Sequence, residues 1–317
     1  MSDHPGGLTR EHVIWAYRLL LDRDPESESV IGPKLAGSRD TRELRHHLMT
    51  SAEFQAKNQD YAHANDRTVI IKELDGQGSV RLFVDLADHV IGLNIVRDQY
   101  ETAEIRFVRS LLRPGEVAVD VGAHIGFFTM HMAAAVGPTG RVYAFEPFKA
   151  IADLTERSIA ENRFGDRVVF ERAAVGASSG RARLTYPRET LNSGGAYLLR
   201  EGAAALSGNL ETQVPLVALD DLKLARPVRF LKMDVEGAEP QVVRGAVRLL
   251  QEDRPVILSE LHPTQLERAS GTTAEQFLAS LRDIGYDAHL LENGAIGPKL
   301  ERVPGTALVS IVLVPVT

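Results

Sequence analysis

The chain has no cysteine. Disulfide staples, thiolate nucleophiles and cysteine-ligated zinc or iron–sulfur sites are therefore excluded. No uncharged apolar run reaches the ~18–20 residues needed to span a bilayer. The first residues, MSDHPGGLTREH, lack the basic-then-apolar order of a secretory leader. A cytoplasmic protein without a membrane span is expected. Basic residues are also in deficit, 36 Lys and Arg against 43 Asp and Glu, for a formal charge of -7. Non-specific nucleic-acid binders carry the opposite excess, so nucleic acid is not an expected partner and a strongly anionic acceptor is disfavoured.

What is present is ordinary for a globular protein: 317 residues, 44% hydrophobic and 25% charged. That length exceeds one domain of ~100–150 residues and predicts an α/β core with a smaller appendage. Three segments are expected: a helical domain over 1–65, a linker, hairpin and lead-in helix over 66–105, and a catalytic domain over 106–317.

In the first segment, Val13, Ile14, Tyr17, Leu20 and Leu21 form one helical stripe, and Leu44, Leu48 and Phe54 another. Thr9 and Ser51 look like helix starts, neither with a complete capping box. Asp24-Pro25 and Gly32-Pro33 are expected breaks. Gln55 to Arg67 reads as a linker, and 68–74 with 79–86 as a hairpin turning at Asp75-Gly76. Glu101 to Leu112 is a predicted helix closed by Arg113-Pro114-Gly115.

From Val117 strands alternate with helices, the pattern of a parallel sheet covered on both faces. Strands are predicted at 117–121, 141–145, 167–171, 228–233, 256–260, 286–291 and 307–314, and helices at 126–136, 148–162, 239–251 and 274–284. Seven strands with a hairpin-like last pair suit the Rossmann-like, doubly wound methyltransferase sheet. The stretch 173–225 differs, with strand-like pieces at 181–186 and 213–217 around a Gly/Ser/Ala-rich loop that includes Asn192-Ser-Gly-Gly195.

The most informative run is Val117-Ala-Val-Asp120-Val-Gly122-Ala123-His124-Ile-Gly126-Phe127-Phe128-Thr129. A buried strand enters a glycine turn and then a helix, and in open α/β sheets ligands bind outside the carboxyl ends of the strands. Gly122 lets backbone pass close to a ligand, and the helix opening after Gly126 offers free N–H groups to a carboxylate. Asp120 is expected to hold a cofactor's ammonium end. The second strand ends in Glu146-Pro147, where an acidic group binds vicinal ribose hydroxyls. Both NAD and S-adenosylmethionine carry such a ribose. The turn is D-x-G-x-x-x-G, with His124 where a dinucleotide turn would place its middle glycine, which favours the methyl donor.

The runs YETAEIRFVRSLLRPGEVAVDVGAHIGFFT, RVYAFEPF and FLKMDVEGAEPQVVRGA resemble the FkbM family of methyltransferases over about half the chain. The resemblance implies a Rossmann-like domain using S-adenosylmethionine. It adds Tyr100, Glu101, Ala123, Phe127, Thr129, Ala174, Asp234 and Glu236 to the expected cofactor residues. The family turn has Asn where this chain has His124, which can still donate one hydrogen bond. The runs AYRLLLDRDPESES and LAGSRDTRELRHHLMTSAEF resemble a short helical domain of unknown function found in bacterial surface and glycan-related proteins.

Methyl transfer requires an aligned donor and a nucleophile relieved of its proton. Lys232, Asp234 and Glu236 alternate along the end of one strand, and Glu260 and His262 along the next. Three readings stay open. His262 or Asp234 is a base with Lys232 orienting a carboxylate; Asp234 and Glu260, with or without His262, hold Mg²⁺; or Asp234 and Glu236 merely cap the following helix. The expected function is O-methylation of a sugar, glycan or secondary-metabolite hydroxyl. Rivals are an NAD-dependent oxidoreductase or epimerase, and a noncatalytic scaffold. The oligomeric state, a homo-oligomer included, is left open.

Overall fold

The computed structural model describes residues 8–49, 51–57, 69–75, 79–88, 90–187, 193–200, 202–303 and 305–316. They fall into two compact units, Met1–Thr68 and Val69–Thr317.

The first unit holds α1 (Arg10–Leu21), α2 (Glu28–Ala36), α3 (Thr41–Met49) and α4 (Ala52–Lys57). Val13, Tyr17, Leu21, Ile31, Leu44, Leu48 and Phe54 close its small core, largely the stripes expected from their spacing. Two local expectations change. Thr9 does carry a capping box, with His12 filling the place usually taken by Glu or Gln: the Thr9 hydroxyl accepts from the His12 amide, and the imidazole accepts from the Thr9 amide. The Gly32-Pro33 break does not occur, because α2 runs through Pro33. The lost amide bond falls near the helix end, and seating Ile31 in the core outweighs it. The expected linker residues 58–67 and the hairpin residue Gly76 lie outside the described residues.

The second unit opens with an antiparallel hairpin, β1 (Val69–Glu73) and β2 (Arg81–Asp85), then α5 (Ile91–Val96) and α6 (Thr102–Leu111). The main sheet is built from β3 (Val117–Val121), β4 (Arg141–Phe145), β5 (Val168–Glu171), β10 (Val228–Met233), β11 (Val256–Leu261), β12 (Tyr286–Glu292), β13 (Ala295–Lys299) and β14 (Val309–Pro315). Its order is β13-β12-β14-β11-β10-β3-β4-β5, parallel from β11 to β5 and antiparallel at the other end. The seven expected strands are all present. Ala295–Lys299 adds an eighth, so the count of seven is corrected: its Gly and Pro hide a strand signal that only pairing with β12 reveals.

Val117, Val119 and Val121 join one core cluster while Ala118 joins the other, the period-two split of a strand buried on both faces. One face packs on α6, α7 (Phe127–Val136), α8 (Lys149–Glu161) and the hairpin. The other packs on α9 (Glu239–Arg244), α10 (Val247–Glu252), α11 (Pro263–Ser270) and α12 (Ala274–Asp283). The single helix expected over 239–251 is two, parted at Gly245, where any side chain would strike the Gly176 carbonyl.

Between β5 and β10 lies a second, four-stranded sheet: β6 (Ala174–Val175), β7 (Gly180–Pro187), β8 (Tyr197–Leu198) and β9 (Asn209–Val217), in the order β6-β9-β7-β8. Its pairing turns the unusual stretch 173–225 into a wall at the carboxyl end of the main sheet.

Candidate active site

A cleft opens at the carboxyl ends of β3, β4 and β10, where open α/β sheets bind their ligands. Tyr100, Gly122, His124, Glu146, Pro147, Ala174, Asp234, Glu236 and Glu260 line it, all expected from sequence. Phe145, Phe148, Ile151, Leu184, Tyr197 and Leu198 also line it and escaped the sequence reading, because they look like core positions until the strands are assembled.

The floor is the turn after β3. Gly122 has φ +80, and a Cβ there would lie 1.8 Å from the Asp234 carbonyl oxygen. The turn can therefore abut the end of β10 only with glycine. Ala123 supports it by accepting from the Gly126 amide at 2.8 Å, and Gly126, at φ +86, opens α7. Glu146 is 7% exposed, with one oxygen accepting from the His124 amide (3.0 Å) and the other from the Phe148 amide (2.8 Å). Burial wins over these two donors and pushes its carboxyl up to about 7. His124 is driven down to about 4, chiefly by burial, so it sits neutral at the turn.

Beside the cleft, Lys232 is buried on β10. Its ammonium lies 3.0 Å from Asp234 Oδ2 and 4.5 Å from the centre of the Phe128 ring. Burial alone would lower its proton affinity; Asp234, Asp120 and Glu101 reverse that and hold it raised. The register Met233↔Ser259 carries Asp234 one step on, opposite Glu260 of β11. Glu101, the residue before α6, completes the group: one oxygen from each of Glu101, Asp234 and Glu260 lies within 4.8 Å of the others. Burial, then mutual repulsion, raises both Glu101 and Glu260. Tyr100 is hydrogen-bonded to Glu101, and its ring meets Phe127 edge-on at 5.3 Å.

Several expected residues do not reach the cleft. Asp120 is fully buried and is not among the lining residues; Oδ2 accepts from Thr129 Oγ1 at 2.5 Å, Oδ1 has no hydrogen-bond partner, and the Lys232 ammonium feels its charge. Strand alternation turns Asp120 toward α7, into the sheet's interior. Thr129, Phe127, Ala123 and Gly126 support the turn from beneath. His262 precedes α11, away from the lining, with Nδ1 buried and unpartnered. Asp234 and Glu236 do not cap α9. No side chain caps α9 at its N-cap Ala238; Glu239 instead ties down the preceding turn, accepting from the Val235 and Gly237 amides, while Glu236 accepts from Gln265. Asn192 lies outside the described residues; Gly194 and Ala196 beside it line the cleft.

The profile of the methyltransferase FkbM domain matches residues 120–288, more than half of the chain. The chain belongs to the FkbM methyltransferase family. It is 31% identical over 160 residues to 31-O-demethyl-FK506 methyltransferase FkbM of Streptomyces tacrolimicus, covering 42% of this chain and 60% of that protein. It is 26% identical over 196 residues to methyltransferase sdnD of Sordaria araneosa, covering 53% and 73% respectively. The chain thus spans about 60% of the first of these relatives. A solved methyltransferase FkbM from Methylobacillus flagellatus KT superposes with a TM-score of 0.40 at 15% identity, over 82% of this chain and 59% of that one. That likeness is too loose to carry over any detail. Among the described residues no helix is long and apolar enough to cross a membrane.

Proposed function

We propose that this FkbM-family chain is an S-adenosylmethionine-dependent O-methyltransferase acting on a sugar, glycan or secondary-metabolite hydroxyl in the cytoplasm. The observation that carries the donor is the cleft floor, a glycine turn and helix start bracketed by the buried Glu146. Each Glu146 oxygen has a lone pair beyond the one given to a backbone amide, so the carboxylate can also receive a ribose diol. Phe145, Phe148 and Ile151 offer apolar surface for a base. When bound, the donor supplies an electrophilic methyl group on a sulfonium.

Glu260 is the base in this reading. Asp234 spends an oxygen on Lys232, whereas Glu260 lines the cleft with no hydrogen bond to a described side chain. Lys232 positions Asp234. The β6–β9 sheet, through Leu184, Tyr197 and Leu198, forms the acceptor wall. Among the described lining residues none is Lys or Arg, which supports a non-nucleic-acid acceptor.

A second reading, in which Glu101, Asp234 and Glu260 hold Mg²⁺, is favoured by their spacing and hard oxygen donors. The Lys232 ammonium already on Asp234 weighs against it. Calorimetry with S-adenosylhomocysteine and with NAD tests the donor: binding of NAD alone, or of neither, sinks the proposal. Acceptor turnover with Mg²⁺ and with EDTA then decides between the base and the metal.

A further inference from the structure

Two arginines stand at the rim of the cleft, on the side of the acceptor wall. Tyr197, Leu199 and Ala269 pack together and fasten the end of β8 to α11. That small apolar contact carries Arg200, the residue after Leu199, and Arg268, the residue before Ala269, to one edge. The Arg268 guanidinium lies 4.7 Å from the centre of the Tyr197 ring, and Tyr197 lines the cleft. Gly271 closes α11 one turn after Arg268, and Nη1 of Arg200 lies 2.8 Å from where a Cβ on Gly271 would sit. Positions three apart on a helix are neighbours, so both side chains work at the same turn. The helix is itself held to the cleft. A Cβ on Gly237 would strike the Gln265 carbonyl, and the Gln265 side chain donates to Glu236 of the lining. Both arginines are exposed, and among the described residues neither enters a hydrogen bond or an ion pair. Arg183 on β7 differs, since Glu211 and the Ala203 carbonyl already hold it. The formal charge of -7 averages over this patch and conceals it.

We propose that Arg200 and Arg268 form a phosphate subsite at the rim, and that the acceptor is a phosphorylated alcohol whose hydroxyl enters the cleft. The inference rests on the hydroxyl-acceptor reading above. A guanidinium stacked on an aromatic ring keeps its N–H edge free and fixed in direction, which suits a bidentate grip on an oxyanion. Two such groups select phosphate over carboxylate. The terminal oxygens of a phosphate can serve two forks, whereas one fork uses up both oxygens of a carboxylate. Two cations suit a single phosphate group; a nucleic-acid backbone calls for a longer row of them. The subsite supplies affinity and orientation only, and no bond to phosphorus forms or breaks.

The experiment is titration of the full chain with inorganic phosphate, followed by phosphorus NMR at constant ionic strength, in EDTA so that no divalent ion bridges. Saturable binding is expected. In the double variant Arg200→Gln, Arg268→Gln, checked for a normal melting transition, it should weaken roughly tenfold or more, the loss of at least one charge-assisted hydrogen bond. Arg181→Gln, at an exposed arginine of β7, should change nothing. S-adenosylhomocysteine should bind the wild type and the double variant alike and leave phosphate binding intact. Phosphate binding that is unsaturable, or equal in the double variant, overturns the proposal. Mutual exclusion of phosphate and S-adenosylhomocysteine puts the anion in the donor's place and overturns it too. If S-adenosylhomocysteine fails to bind the wild type, the donor reading falls, while the phosphate titration still judges the subsite. Glucose, glucose-1-phosphate and UDP-glucose, each added with S-adenosylhomocysteine present, separate the sources of the phosphate. Tightest binding of glucose-1-phosphate supports a monoester acceptor, and tightest binding of UDP-glucose a diphosphate-linked one. Glucose bound as tightly as either overturns the proposal.

Discussion

Replacing Gly122 with alanine tests whether the turn after β3 and the end of β10 form one unit. Two costs add. At φ +80 an alanine pays roughly 1–2 kcal/mol for the left-handed backbone. Its Cβ would also sit 1.8 Å from the Asp234 carbonyl oxygen, whereas even a close carbon–oxygen contact needs about 3.3 Å. The obstacle is backbone, so the turn and Asp234 must part by more than an ångström, with an overpacking cost of about 1–3 kcal/mol. The sum, roughly 2–5 kcal/mol, lowers the melting temperature by about 5–15 °C for a domain of this size. Gly208→Ala is the control: its φ is +89 and nothing lies within 4 Å, so only the backbone cost applies. Thermal melts and S-adenosylhomocysteine titrations of both variants supply the comparison. Gly122→Ala should melt well below Gly208→Ala and lose cofactor binding. If the two melt together and both bind like the wild type, the coupling of turn to strand end is wrong.

Three other outcomes follow from the buried charges. Lys232→Met leaves Asp120 and Asp234 without their cation and should cost about 3–5 kcal/mol in urea unfolding; an unchanged midpoint would contradict the ion pairing. Glu146→Ala strips the acceptor from the His124 and Phe148 amides and should cost about 2–4 kcal/mol besides weakening S-adenosylhomocysteine more than tenfold, so a loss of binding without loss of stability would separate the two roles. Burial pushes Glu146 and Glu239 up to about 7 and Glu236 to about 8. A carboxyl whose folded value is raised stabilises the fold fully below its unfolded value and loses that contribution as pH rises through the folded one. The ligand-free protein should therefore lose melting temperature from about pH 4.5 to about pH 8, and a steady rise over that window would refute the assignment.

The central strands of the main sheet, β3, β10 and β11, were readable because each is a short run largely buried on both faces, a signal carried in its own residues. Ala295–Lys299 carries none, since it is an exposed edge with a Gly and a Pro. The break at Gly245 was hidden for a different reason: it answers a contact with Gly176, remote in sequence. At the site, alternation correctly put Lys232 and Asp234 on one side. The alternation itself ends before Glu236, whose backbone at φ +54 has left the strand, yet Glu236 still lines the cleft with Asp234. Position before the glycine turn reports nearness to the cleft and says nothing of depth, and Asp120 is fully buried there. Glu101 joins the carboxylate group through the packing of α6, which no local pattern encodes.

The eighth strand also governs how the molecule meets its neighbours in solution. A bare sheet edge is a template for another chain's backbone. Here the outermost strand contains Pro298, which has no amide to offer, and Lys299, paired with Asp287 at 2.8 Å. The arm thus ends the sheet on a rim ill suited to adding strands. Removing it would bare the seven-residue strand Tyr286–Glu292 and invite self-association there.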